Sequence, residues 1–321
     1  MMSMKIALVG IGKIAIDQHI PAINSSREWE LAATVSRHGG IEDIENFADI
    51  QTMLDARPDI ECVSLCLPPV PRFDYAVAAL KAGRHVILEK PPGATVSECR
   101  TLEAMALDGG VTIYATWHSR EAAQVDLARD WLRDKKLNSL RIIWKEDVRR
   151  WHPGQKWIWE AGGLGVFDPG INAFSILTKI LPVPVHVTSA ELRFPENCET
   201  PIAADIAFAH PSGAPVTAEF DFLEEGTQTW SMIIDTSGGE LLLEEGGAKL
   251  TINGVEQADS TALAETEDGS NPLLGGEYTR LYARMANLVK AAQSEMDLSP
   301  FMHVSDCFLL GKRVTVAPFH E

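Results

Sequence analysis

Two residues of this chain stand where acid–base chemistry could be done. Lys90 lies in Glu89-Lys90-Pro91-Pro92-Gly93, and Asp168 lies in Gly162-Gly163-Leu164-Gly165-Val166-Phe167-Asp168-Pro169-Gly170-Ile171-Asn172. The first motif follows a short apolar strand pattern, and ligands of open α/β sheets bind beyond the carboxyl ends of strands. A residue before proline is confined to extended backbone, which fixes where the Lys90 ammonium projects. A surface lysine beside a turn accounts for its position equally well. Asp168 before Pro169 also has the form of a helix N-cap with proline at the first helical position. Asn172 follows one turn later on the same helix face, so both side chains can address one ligand. Ile171, Phe174, Leu177 and Leu181 already supply the buried face of that helix.

A second chemistry is written in Gly10-Ile11-Gly12-Lys13-Ile14-Ala15, which has the form G-x-G-x-x-A and joins the first strand to the first helix. The first glycine permits the tight turn, and the second lets the backbone approach a pyrophosphate. The small third residue lets helix and strand pack closely, and the helix N-terminus offers N–H groups to phosphate. The next strand ends Val35-Ser36-Arg37-His38, without the acid that would bond a ribose 2′-hydroxyl. Arg37 can grip a 2′-phosphate with a planar fork and Ser36 can donate a hydroxyl, so NADP is the preferred cofactor and NAD a second acceptor. The expected cofactor contacts are Gly10, Gly12, Lys13, Ile14, Ser36, Arg37, His38, Leu67, Pro68, Glu89, Lys90, Trp117 and His118.

These motifs need elements to position them. From Lys5 to about Arg120, short apolar strands (Lys5–Gly10, Leu31–Ser36, Cys62–Leu67, His85–Glu89, Val111–Thr116) alternate with helical stretches such as 73–82. That alternation indicates βαβ units and a parallel sheet. A helix over 121–135 then leads to a Trp-rich segment and to the helix at Asp168. From about Val183 to Asn253 the period becomes two, with turns at Gly238-Gly239, Gly246-Gly247 and Asn253-Gly254, as in an antiparallel sheet covered by helices on one face. Residues 256–276 read as a mobile surface loop, followed by helices near 277–292 and from Ser299-Pro300.

Length and charge agree with this plan. A chain of 321 residues, 45% hydrophobic, reads as two domains of ordinary size. A formal charge of -17 argues against nucleic acid and anionic lipid as partners. No apolar stretch approaches the ~20 residues of a membrane span. The start of the chain runs straight into a strand pattern, so a cytoplasmic protein is expected. Cys62, Cys66, Cys99, Cys198 and Cys307 are scattered, and no metal site is expected.

The G-x-G-x-x-A turn, the Glu-Lys-Pro motif and the Gly-Gly…Asp-x-x-x-Asn helix start, in this order, resemble the Gfo/Idh/MocA oxidoreductases over essentially the whole chain. Val9–Ile16, Leu88–Gly93, Thr116–Arg120 and Lys145–Asn172 are most like the bacterial L-arabinose/D-galactose 1-dehydrogenase branch. The resemblance implies an α/β protein with a Rossmann NAD(P)-binding domain over 1–120. A substrate-binding and dimerisation α/β domain over 121–321 would follow, with a large, mostly antiparallel open sheet through which a homodimer forms. It implies an aldose 1-dehydrogenase that oxidises C1 of a pyranose to the aldonolactone, with Lys90 and Asp168 as the catalytic pair and Asn172 orienting the sugar. Many relatives carry His where this chain has Asn172. Asn takes no proton near neutral pH, so the base is Asp168, Lys90 or the two together. We expect Asp168 to accept the C1 hydroxyl proton and Lys90 to bond the C1 or ring oxygen.

Sugar recognition calls for flat apolar faces beside hydrogen-bonding groups. Trp144, Trp151, Trp157 and Trp159 crowd one segment, interleaved with Glu146, His152 and Gln155. Glu146, Trp151 and His152 are expected sugar contacts, with His118 beside them and Trp230 added by the resemblance. Packing is the alternative use of these indoles. Two other functions fit the same motifs: an inositol or other polyol dehydrogenase, and a non-catalytic NADP-binding regulator.

Overall fold

The computed structural model describes residues 3–258 and 276–321, and the chain divides into two compact units. One runs to His118 and includes Gly276–Leu298; the other begins at Ser119 and includes Ser299–Glu321. Residues 276–298 thus return to the first unit, beyond the boundary at 120 drawn from the sequence. Most of the acidic stretch expected to form a surface loop, 259–275, lies outside the described residues.

The first unit is built on six parallel strands: β1 (Met4–Val9), β2 (Trp29–Val35), β3 (Asn46–Phe47), β4 (Cys62–Leu65), β5 (His85–Leu88) and β6 (Ile113–Ala115). Their order is β3-β2-β1-β4-β5-β6. All of β4 is buried, as are Ile6–Val9 of β1, which is why these strands read as continuous apolar runs. Strand order reverses at β1, between β2 and β4, so a ligand crevice opens beyond the carboxyl ends at that point. The residues just past β1, β2, β4 and β5 are Gly10, Ser36, Cys66 and Glu89.

The second unit carries a nine-stranded sheet formed by β7 (Leu137–Lys145), β8 (His186–Pro195), β9 (Ala203–Ala209), β10 (Val216–Asp221), β11 (Thr229–Thr236), β12 (Gly239–Glu244), β13 (Lys249–Ile252), β14 (Val255–Glu256) and β15 (Lys312–Val316). Its order is β14-β13-β12-β11-β7-β10-β9-β8-β15. The pairs β7–β10 and β8–β15 are parallel and the rest antiparallel, so the sheet is mixed but mostly antiparallel. Alternation sets its faces: Ile142 and Trp144 of β7 and Met232 and Ile234 of β11 point inward and are buried. Helices Val125–Leu132, Phe167–Ile180 and Ser299–Leu310 pack together and against strands of this sheet. Among the described residues, no helix is long and apolar enough to cross a membrane.

The helix Phe167–Ile180 matters most, because it carries Asp168 and Asn172. It sits hard against β10: Phe167 meets Phe220 edge to face and Phe174 meets it at a tilt, with ring centroids 5.9 and 5.2 Å away. A Cβ on Gly170 would lie 2.6 Å from the Phe220 ring. Gly170→Val is therefore expected to cost about 2 kcal/mol or more by overpacking. Urea unfolding measures it, and unchanged stability would mean the helix seats elsewhere.

Candidate active site

The dinucleotide turn has the geometry its glycines require. Gly10 adopts φ +87°, and a Cβ there would lie 2.9 Å from Leu67 Cδ2 and 3.1 Å from the Leu67 backbone nitrogen. Only glycine combines that backbone with that clearance. A Cβ on Gly12 would meet nothing within 4 Å, so the backbone lies open to an approaching group. The helix that follows starts beside Lys13 and Ile14, and Ile16 N–H donates to the Gly12 carbonyl at 3.1 Å. An open backbone at a helix start suits a pyrophosphate, and on this test the turn fits NAD(P). Lys13 is exposed and paired with Asp17.

At the end of β2 the turn is held by side chains. Ser36 Oγ accepts the His38 N–H at 3.2 Å, and the Asn46 amide donates to the Ser36 carbonyl at 3.1 Å. Arg37 and His38 are exposed. Leu67 and Pro68 follow β4, with Leu67 packed over Gly10.

The Glu89–Pro91 segment is fixed from three sides. Arg72, buried on the helix Pro69–Lys81, donates to the carbonyls of Leu67, Glu89 and Pro91. This guanidinium binds the loops after β4 and β5 into one body. The Glu89 carboxylate accepts the Lys90 N–H and the Tyr278 hydroxyl, and it faces His19 Nε2 at 3.5 Å. His19 Nδ1 in turn meets the Tyr282 hydroxyl at 2.8 Å. His118 stacks on Tyr278 and contacts Glu277 through Nδ1 at 2.6 Å. Trp117 is buried, and its indole N–H donates to the Asp297 carbonyl at 2.8 Å.

Glu89 is 4% exposed. Burial alone pushes its carboxyl up, but the His19 imidazole and the charges of His118 and Lys90 outweigh that and hold it down at about 2. A carboxyl lowered from 4.5 in this way contributes stability that is complete above pH 4.5 and lost as pH falls toward 2. The contribution is roughly 3 kcal/mol. Glu89→Gln is expected to flatten this acid limb when unfolding is followed from pH 6 to pH 2 (about the range over which the carboxyl titrates). An unaltered limb would show that the carboxylate is not held by these partners.

The second unit gathers most of the expected sugar contacts. Glu146 follows β7 and continues its inward series after Ile142 and Trp144, so a carboxylate occupies a buried, sheet-facing position. Trp230 pairs with Trp144 across the strands, and its indole N–H donates to Glu146 Oε2 at 2.7 Å. Asp147 accepts the Arg149 N–H at 3.0 Å and so starts the short helix Val148–Trp151. Trp151 packs edge-on against Trp230, with centroids 5.4 Å apart. His152 stands between two carboxylates: its Nε2 is 3.4 Å from Glu146 Oε1 and its Nδ1 is 3.7 Å from Asp168 Oδ2.

Asp168 does not occupy the position expected of a helix cap. The helix starts at Phe167 with Val166 before it, so Asp168 lies inside the first turn, 2% exposed. Gly165 makes this possible: its φ is +55°, and a Cβ there would lie 2.2 Å from the Pro201 carbonyl oxygen. Asn172 lies half-buried on the same helix, one turn on. The second unit thus brings together Glu146, Trp151, His152, Asp168 and Trp230.

Sequence reading missed several supporting residues. Gln228 accepts both the Asp147 N–H at 2.6 Å and the Trp151 indole N–H at 3.2 Å, which pins the indole in place. Arg72, His19, Tyr278 and Tyr282 do the corresponding work around Glu89. A helix with Pro69 and Pro71 at its start and a single arginine gives only a faint signal, and the partners of the other residues are remote in sequence.

Comparison with known proteins agrees with this geometry. Residues 4–116 match the family model GFO_IDH_MocA, described as an oxidoreductase family with an NAD-binding Rossmann fold. Galactose 1-dehydrogenase of Pseudomonas fluorescens is 40% identical over 100% of both chains. The crystal structure of a D-galactose-1-dehydrogenase protein from Rhizobium etli is 50% identical, with TM-score 0.92, covering 100% of this chain and 99% of that one. A 3-ketoreductase from Actinomadura kijaniata, solved with NADP and TDP-benzene, shares the fold at 16% identity, with TM-score 0.80 over 98% of this chain and 99% of its own.

Proposed function

The chain belongs to the Gfo/Idh/MocA oxidoreductase family, and from that premise we propose that it is an aldose 1-dehydrogenase acting on a pyranose of the D-galactose or L-arabinose type. The observation that carries this reading is a dinucleotide turn in one unit and, in the other, a buried carboxylate, Glu146, held between the Trp230 indole and the His152 imidazole. The full-length likeness to two galactose 1-dehydrogenases supports it.

Bound NADP supplies the hydride acceptor. Gly10, Gly12 and the following helix start would hold its pyrophosphate, and Ser36 and Arg37 would hold the 2′-phosphate; NAD would be a poorer fit because it leaves Arg37 without that partner. The reaction takes hydrogen with its electron pair from C1 and a proton from the C1 hydroxyl, so C1 becomes the carbonyl carbon of a lactone. Asp168 accepts that proton, since a carbon losing hydride would otherwise be left positive. The Lys90 ammonium donates to the C1 or ring oxygen, and the Arg72 and Glu89 contacts fix the backbone from which it projects. Asn172 orients the sugar, with Glu146 as a hydrogen-bonding edge and Trp151 and Trp230 as flat faces. A homodimer through the outer face of the nine-stranded sheet and a cytoplasmic location complete the proposal.

The test is an aldose panel: D-galactose, L-arabinose, D-fucose and D-xylose, each with NADP and with NAD, beside inositols as controls. We expect the highest kcat/KM with D-galactose or L-arabinose and NADP. NADPH formation from an inositol and from no aldose would replace this reading with a polyol dehydrogenase. Tight NADP binding with no turnover on any of them would make it a regulator.

A further inference from the structure

We propose that His152 carries away the proton that Asp168 takes from the sugar; this rests on the reading of Asp168 as the acceptor. A carboxyl group that gains a proton in every turnover has to lose it before the next. Buried as it is, Asp168 is poorly placed to give it to water. His152 Nδ1 lies 3.7 Å from Asp168 Oδ2, and of the three side chains the imidazole is the most open, 17% exposed against 3% for the Asp168 side chain and 6% for that of Glu146. Contacts of this kind run long in unliganded enzymes and tighten in the complex.

Glu146 sets the state of the ring. Its Oε2 accepts the Trp230 indole N–H at 2.7 Å, and its Oε1 faces His152 Nε2 at 3.4 Å. A carboxylate held as an acceptor favours hydrogen on Nε2, which leaves the Nδ1 lone pair toward Asp168. Phe222, with its ring centroid 5.7 Å away, flanks the imidazole. Among the described residues of the second unit, the titratable groups facing His152 are Glu146 from the end of β7 and Asp168 from the helix Phe167–Ile180. Arg149 is turned to Asp147 and Glu225, and Arg150 lies over the Trp151 ring. In the step itself the O–H bond of protonated Asp168 breaks and an N–H bond forms at His152 Nδ1. The products are carboxylate and imidazolium, and no electrons change hands. The imidazolium then releases one proton to water or buffer at its open edge and returns to the Nε2–H form.

The experiment compares His152→Gln with the unaltered holoenzyme on D-galactose and NADP. Glutamine keeps a donor for Glu146 but carries no proton. Single-turnover NADPH formation should stay within about threefold, while steady-state kcat falls about 30- to 100-fold at similar KM, the scale of a lost proton-transfer group. Imidazole in the buffer should restore kcat in the variant and leave the unaltered enzyme unchanged. A raised KM with normal kcat would overturn the proposal and make His152 a sugar contact alone. Loss of kcat without rescue, with single turnover equally slow, would overturn it as well. Nitrogen-15 NMR of the unaltered protein supplies a measurement independent of any variant: the neutral imidazole of His152 is expected to carry its hydrogen on Nε2. Hydrogen on Nδ1 of the neutral ring would contradict the relay. Failure of the unaltered protein to oxidise any aldose would remove the reading of Asp168 itself, and that result is seen before any variant is made.

Discussion

Replacing Asp168 by asparagine is expected to lower kcat/KM for the aldose about 1000-fold while the Kd for NADP stays within about twofold, as for loss of a general base. The change is nearly isosteric, so the helix Phe167–Ile180 keeps its seat against Phe220 and the fold is spared. Asparagine can still meet His152 but cannot accept a proton. A factor of 1000 corresponds to about 4 kcal/mol of transition-state stabilisation. The loss belongs mainly in kcat, because the proton moves only as C1 is oxidised. Stopped-flow and steady-state assays separate the two parameters, and retention of more than about a tenth of kcat would remove Asp168 from the role of base. If Lys90 and Asp168 act as one device, Lys90→Met combined with Asp168→Asn will cost little more than the worse single change.

The second large effect is expected at the cofactor. Arg37 is exposed at the end of β2, beside a turn that Ser36 and Asn46 hold in place. A guanidinium paired with a 2′-phosphate contributes about 3 kcal/mol through charge-assisted hydrogen bonds. Arg37→Ala should therefore weaken NADP binding about 100-fold and leave NAD, which lacks that phosphate, within about threefold. Ser36→Asp should go further and favour NAD, because a carboxylate repels the phosphate and accepts from the ribose hydroxyl. Fluorescence titration of both cofactors measures this. Equal weakening of NADP and NAD by Arg37→Ala would show that Arg37 shapes the turn instead of reading the phosphate.

What could be read in the amino-acid sequence followed from local rules. The strands of the first unit announce themselves because a parallel sheet buried on both faces demands continuous apolar runs, as in Cys62–Leu65. The glycine turn was legible because only a few residue types tolerate its backbone. The strand β7, at the centre of the second sheet, was not read as a strand. Only Leu140, Ile142 and Trp144 alternate with outward residues; Leu137 falls out of phase with them and Ile143 is apolar on the outward side, so the period-two signal is short and blurred. The short strands Asn46–Phe47 and Lys312–Val316 were missed too; both lie at sheet edges, where one neighbour suffices and little apolar pattern is needed.

The candidate site divides in the same way. Asp168 drew notice through its motif, yet the motif fitted a helix cap as well as an acid, and it took the helix start at Phe167 to separate them. The Trp-rich segment marks His152 as a sugar contact. Its place between Glu146 and Asp168 depends on a loop, a strand end and a helix meeting in space, which no spacing rule encodes. The same holds for Arg72, whose three carbonyl partners lie on two different loops.

The central claim is that hydride leaves C1 of an aldose. D-galactose carrying deuterium only at C1 tests it, with the reduced cofactor and the sugar product examined by mass spectrometry and NMR. The account predicts deuterium at the nicotinamide C4 and an unlabelled galactonolactone. Deuterium retained at C1 of the sugar product, with unlabelled reduced cofactor, would place the oxidation at another carbon and contradict it.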